Sequence, residues 1–336
     1  MPPLGLERAP ALHAYVAAHN AETALRAGIT SAVGANSPFD IDASLRDAIE
    51  MGLVRGPRFI PGSRDLITRA DSNDTTPWWW ESHALAGVRI CDGPDEFRRA
   101  VRDEVHRGAE VMKLFPTGGH GIRLSGDTMS MTQQELNAAV EAAHGLGVRA
   151  RAHVASKAGI MRCLEAEVDI LDHGDGLDEE CIKAIAETGT FLIPSIHNMA
   201  IHAGLGVDPN NHNLAVAIES FHGMCEILPA AMEAGVRICL GDDYGGSQIP
   251  HGTYGLEPGS YVKHASIPPL EVLRWATVNG GQLFGRDDLG RIEEGYLADI
   301  VVVDGDPSED ITVLGEVGNI HAVMRDGQLL VNEIPD

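Results

Sequence analysis

Four residues in this sequence combine reactive chemistry with a telling position. Lys113 interrupts the apolar run Val111-Met112-Lys113-Leu114-Phe115, and the loop Pro116-Thr117-Gly118-Gly119 follows at once. His153 (RAHVAS), His173 (LDHGDG) and Asp243 (LGDDYGG) also stand at or near the C-terminal ends of short apolar segments, each before small or loop-forming residues. Singly, each has a plain explanation. A strand-end histidine is more often a satisfied core or loop residue than a ligand, an aspartate beside glycine is a turn former, and a strand-end lysine pairs with a carboxylate. Together, two imidazoles and a carboxylate make a borderline ligand set suited to Zn²⁺ or a similar divalent ion. The lysine is the awkward member. Burying an ammonium without a partner is costly, and as a cation it would repel the ion. A carbamylated lysine, carrying CO2 on its amine, would present a carboxylate able to bridge two metals.

The elements that must position these groups are legible as alternation. Seven short apolar strands are expected: ITSAVGA (29–35), RFIPGS (58–63), VMKLFP (111–116), RARAHV (149–154), VDILDHG (168–174), TFLIPSI (190–196) and RICLGDD (237–243). Amphipathic helices separate them, as in βαβ units. PDEFRRAVRDEVHRG stops at Gly108, and MTQQELNAAVEAAHGLG opens on Thr132 with Glu135 three residues on, a capping box. Gly28, Gly108, Gly147 and Gly235 follow helices and precede strands, as C-terminal cap glycines should. Polar residues gathered at strand C-termini predict an α/β fold, a TIM-like (β/α)8 barrel, which brings those ends into one ring. A doubly wound sheet would want a glycine fingerprint after its first strand, and none is visible. Seven strands are one short of closure. From about Leu289 the segments become β-type, so the expected division is a barrel over 1–285 and a small β appendage over 286–336.

Composition narrows the function classes. With 336 residues, 44% of them hydrophobic, a sizeable core is expected. A net charge of −24 argues against nucleic acid or an anionic membrane as partner. Five widely spaced cysteines without a C-x-x-C pair suit a reducing compartment. MPPLGLERAPALHAYV has no basic stretch leading into an apolar region, so no signal peptide is read, and no run approaches the roughly 18–20 apolar residues of a membrane span. A soluble cytoplasmic protein is expected. Trp78, Trp79 and Trp80 cannot all face one core; packing or an interface is the first reading and substrate contact the second.

At this point the chain resembles the amidohydrolase superfamily, in its prolidase-like branch near Xaa-Pro dipeptidases and imidazolonepropionase. The resemblance runs from about Ala21 to the C-terminus through NAETALRAGITSAV, IEMGLVRGPRFIPGS, DGPDEFRRAVRDEVHRGAEVMKLFPTGG, MTQQELNAAVEAAHGLGVRARAHV, DILDHGDGLDEE, LGDD and ATVNGGQLFGRDDLGRIEEGYLADIVVVDGDP. It implies that Lys113 matches the carboxylated, metal-bridging lysine at the end of strand four. His153 and His173 match the histidines of strands five and six that hold the more buried metal, and Asp243 the strand-eight aspartate, both ligand and general base. The family pattern Gly-Thr-Asp reads Gly241-Asp242-Asp243 here, which makes Asp242 a supporting residue. The implied activity is metal-assisted hydrolysis of an amide, dipeptide or cyclic amide, with one or two zinc ions and a carbamate on Lys113. The appendage then corresponds to part of the family's small β-sandwich domain.

One departure stands out. The superfamily's first strand ends in His-x-His, two ligands of the more exposed metal, and this sequence has no such pair. His13 and His19 lie six apart in ALHAYVAAHNAETALRAG, which reads as the helix after strand one. The missing strand and the missing ligands are therefore one omission. Either the chain begins downstream of that strand or the protein naturally lacks it. A natural short form would leave two unpaired barrel edges, which a homo-oligomer or a rearranged N-terminus would cover. Candidate substrate contacts are His120 and Arg123 after the lysine strand, suited to a carboxylate; His197 with Asn198 after strand seven; and Arg64 in SRDLIT, read as a loop after strand three. Two other functions compete: a non-catalytic barrel that binds a small molecule, and a Schiff-base lyase using Lys113 as nucleophile.

Overall fold

The computed structural model describes residues 8–74, 87–119, 125–204, 212–245 and 249–334. All seven expected strands form. β1 (Ser31–Val33) pairs in parallel with β2 (Arg58–Ile60). Beyond Pro61 the chain runs into β3 (Gly62–Thr68), flanked by β4 (Val88–Cys91) and β5 (Val111–Leu114). β6 (Arg149–Val154), β7 (Ile170–His173), β8 (Phe191–Ile193) and β9 (Arg237–Ile238) follow, each parallel to the one before. Among the described residues β1 has no partner beyond β2, and β9 none beyond β8. The curved sheet is open where an eighth barrel strand would close it.

Two features differ from the sequence reading. SRDLIT is strand rather than loop: Leu66 and Ile67 are fully buried, and β3 carries β4 on its outer edge. β4 itself, Val-Arg-Ile-Cys, was not among the expected strands. It packs Val88 and Ile90 on Ile67 and Phe115, an apolar flap beside the barrel mouth.

The helices read from the sequence form as α1 (Pro10–Arg26), α3 (Pro94–His106) and α4 (Gln133–Gly145), with α2 (Ile41–Glu50), α5 (Lys157–Glu165) and α6 (Glu179–Thr188) between and after them. Then come α7 (Ile196–Gly204), α8 (His212–Glu233), α9 (Leu256–Ala265), α10 (Pro269–Arg274) and α11 (Gly280–Phe284). The capping box at α4 is complete, with Glu135 N–H on Thr132 Oγ1 at 3.3 Å and Thr132 N–H on Glu135 Oε2 at 2.8 Å.

Strand alternation separates two environments. Met112 and Leu114, Ala150, Ala152 and Val154, Leu171 and Leu192 face the helices in one large core. Val111, Ile170, Phe191, Ile193 and Cys239 face inward and meet Leu283 of α11, forming an apolar floor inside the barrel. The same inward parity continues through Lys113, Arg151 and Asp172. The C-terminal sheet, β10 (Ile300–Val303), β11 (Ile320–Arg325) and β12 (Gln328–Asn332), is antiparallel. It is no loose appendage. Ile320, Val323 and Val331 pack on Leu25 of α1, and Arg58 of β2 pairs with Asp299 at 2.8 Å and Asp326 at 2.5 Å.

Candidate active site

The question posed by Lys113 has a structural answer. Its ammonium is ion-paired with Asp172 Oδ2, and Asp172 accepts Arg151 Nε on both oxygens at 2.8 Å. All three side chains are buried. The two cations hold the Asp172 carboxyl well below the usual carboxylate range despite its burial. Arg151 also reaches across the interior to the carbonyls of Val33 at 3.4 Å and Gly34 at 3.2 Å, tying β6 to the end of β1. Asp65, in register with Lys113 on β3, joins the same layer. Burial pushes its carboxyl up to about 7 against the pull of Lys113, and Asn73 Nδ2 donates to it at 3.1 Å. The interior thus carries a ring of two acids and two bases above the apolar floor.

One layer higher stand the aromatic groups. His153 stacks on Phe115 with ring centroids 4.6 Å apart, and His173 meets His153 edge-to-face at 4.7 Å. Lys113 Nζ lies 5.1 Å from the Phe115 centroid. His173 ends β7 with φ of 66°, a left-handed conformation that non-glycine residues rarely hold. His153 Nε2 donates to Gly118 O at 3.1 Å. Gly119, with φ of 143°, must be glycine, because a Cβ there would lie 2.5 Å from Ala155 Cβ and 3.2 Å from His153 Nε2.

Asp243 is placed differently. It lies beyond β9 on the inward parity but is solvent-exposed, with Asn198 Nδ2 at 3.5 Å as a weak neighbour. Asp242 is the better anchored of the two. Its oxygens accept Asn198 N–H at 2.8 Å and Asp243 N–H at 2.9 Å, as a supporting residue should. Burial raises the carboxyl of Asp242 well above its usual range and that of Glu257 to about 7.

The structure therefore brings Lys113, His153 and His173 together and leaves Asp243 at the rim. Arg64 is corrected from loop to strand, and its guanidinium is taken by Glu104 of α3 at 2.5 Å, outside the barrel. His197 lies in the first turn of α7, buried, with Nδ1 on Ser260 Oγ at 2.8 Å and Nε2 unpartnered. Burial lowers its pKa. His120, Arg123 and the three tryptophans lie outside the described residues.

The donor chemistry suits a divalent ion in its two adjacent imidazoles. Among the described residues no three of His, Cys, Asp and Glu are grouped as a ready site. The sequence reading passed over Asp172, Arg151, Asp65, Phe115 and Glu257. The signal for three of them was present, since Arg151 precedes His153 by two residues and Asp172 and Asp65 interrupt apolar strands. The five cysteines are buried and unpaired, and no described helix is long and apolar enough to cross a membrane.

Ochratoxinase of Aspergillus niger is 31% identical over 261 residues, 75% of this chain and 52% of its own length. The chain thus spans about half the length of the curated relatives it matches first. In three dimensions it superposes on the A. niger ochratoxinase structure with a TM-score of 0.86 at 28% identity, covering 98% of this chain and 78% of the other. A Xaa-Pro dipeptidase with methionine in its active site superposes with a TM-score of 0.87 at 28% identity, covering 97% and 81%. The amidohydrolase family model matches residues 7–330. The chain belongs to the amidohydrolase family.

Proposed function

We propose that this protein is a metal-dependent hydrolase of C–N bonds acting on an amide, dipeptide or cyclic amide. The observation that carries the reading is the meeting of His153 and His173 at 4.7 Å beside Lys113, at the strand ends where barrel enzymes work. The likeness to an ochratoxinase and a Xaa-Pro dipeptidase supports the substrate class. His153, His173 and Asp243, with Lys113 as a carbamate, would hold the ion, and zinc suits these donors best. A bound divalent ion would polarise the scissile carbonyl and make water acidic near neutral pH. Asp243 would take up the proton and return it to the leaving nitrogen. Arg151 would keep Asp172 paired once Lys113 carries CO2, and Phe115 would shield the His153 ring from water.

The test is amine release from a panel of N-acyl amino acids and Xaa-Pro dipeptides, in Zn²⁺ and bicarbonate and again after chelation. The reading expects hydrolysis that chelation stops and that His153→Ala abolishes. Turnover indifferent to chelation, or none from zinc-loaded protein on any C–N substrate, contradicts it. The second outcome would favour the non-catalytic barrel, for which the ion pair of Lys113 with Asp172 and the exposed Asp243 speak. The Schiff-base reading is the weakest, since two histidines and an aspartate around the lysine suit a metal better.

A further inference from the structure

The weakest part of the candidate site is the turn after β9, yet one buried residue is built around it. Glu257, 2% exposed in the first turn of α9, accepts three hydrogen bonds. Its Oε1 takes Gly241 N–H at 2.9 Å and the Tyr261 hydroxyl at 3.2 Å. Its Oε2 takes the Tyr244 hydroxyl at 3.0 Å. Gly241 and Tyr244 bracket Asp242 and Asp243, so one carboxylate grips both ends of the turn. Ser195 Oγ donates to Gly241 O at 3.2 Å, and Asp242 fixes the inside of the turn to the start of α7.

A buried glutamate is expensive to keep, and a helix-start carboxylate needs no burial to do its local work. Tyr261 is fully buried and packs edge-to-face on Trp275 at 5.4 Å, so the anchor on that side is rigid. β9 itself offers little constraint, having two residues and, among the described residues, a single neighbouring strand.

We propose that Glu257 is a positioning residue that sets the Asp243 carboxylate relative to His153 and His173. The inference rests on the reading of Asp243 as a metal ligand and extends it to the group that aims it. Glu257 touches neither ion nor substrate. It acts through the backbone of Gly241 and the side chain of Tyr244.

The experiment is a double-mutant cycle in Zn²⁺ affinity, measured by competition with a chromophoric chelator on the full chain. The variants are Glu257→Ala, Asp243→Ala, the pair together, and His153→Ala, with thermal melting on each. The expected result is a 10–100-fold loss of affinity for Glu257→Ala that disappears in the Asp243→Ala background. A structural role would lower the melting temperature and change affinity equally in both backgrounds, or not at all, and would overturn the inference while leaving the metal reading intact. If neither His153→Ala nor Asp243→Ala changes Zn²⁺ affinity, the metal reading fails and the inference with it. Should Glu257→Ala not fold, Tyr244→Phe releases only the far end of the turn. It should then weaken Zn²⁺ binding several-fold in an Asp243-dependent way, and equal binding to the parent protein would count against the proposal.

Discussion

The two sides of the barrel are built to different standards. On the β5–β7 side each strand has a neighbour on both edges, and the functional side chains are buried and paired: Lys113 and Arg151 with Asp172, His153 between Phe115 and His173. On the other side β1 and β9 each have one neighbour among the described residues, β9 is two residues long, and Asp243 stands exposed. Where the sheet is complete, geometry follows from register. On the other side individual side chains tie the elements together: Arg151 reaching Val33 and Gly34, Asp42 accepting Gly62 N–H at 3.1 Å, and Glu257 gripping the β9 turn.

The largest effect should come from the complete side. Asp172→Asn leaves Lys113 and Arg151 with Asp65 as the remaining acid of the layer, and removal of one member of a buried ionic group costs about 3–5 kcal/mol. Urea unfolding should show that loss; a change below about 1 kcal/mol would mean the ring is not load-sharing as described. On the other side, burial pushes Asp42 up to about 7 from 3.8. An acid whose folded pKa is raised contributes its stability fully below the unfolded value and loses it as pH rises through the folded one. Asp42→Asn should therefore gain progressively on the parent protein as pH rises from about 4 to 7, when unfolding is followed across that range. A flat difference would sink this account. The smallest effect is local. Thr132→Ala removes the α4 cap and should cost about 1 kcal/mol in the same assay, with no change in Zn²⁺ binding.

The contrast also explains what the sequence allowed one to read. Alternation of short apolar runs with capped helices located all seven strands, because a parallel strand buried on both faces needs such a run and a glycine ends several of the preceding helices. The capping box at Thr132 and Glu135 is a local code and formed as read. Lys113, His153 and His173 were legible because polar residues at strand ends in a barrel converge. β4 was not, since Val88-Arg89-Ile90-Cys91 is only a four-residue strand whose burial depends on Phe115 and Ile67, contacts far apart in sequence. Arg64 was misjudged for a related reason: strand parity turns it outward to Glu104, and parity is readable only once SRDLIT is known to be strand. The partner of Lys113 was missed although its signal was in hand. Asp172 shares inward parity with Ile170, as Arg151 does with His153, and applying the period of two to both strands would have set the three charges side by side. Glu257 had no such signal, because its role depends on how α9 docks against a turn carried by another element.

One measurement bears most directly on the claim that Lys113, His153 and His173 form a metal centre. It is metal content by elemental analysis of the purified, unchelated 336-residue chain beside its Lys113→Ala variant. The account predicts about one divalent ion or more per chain, lost in the variant while the fold survives. A folded protein that carries no ion, or one whose ion is indifferent to Lys113, would contradict it.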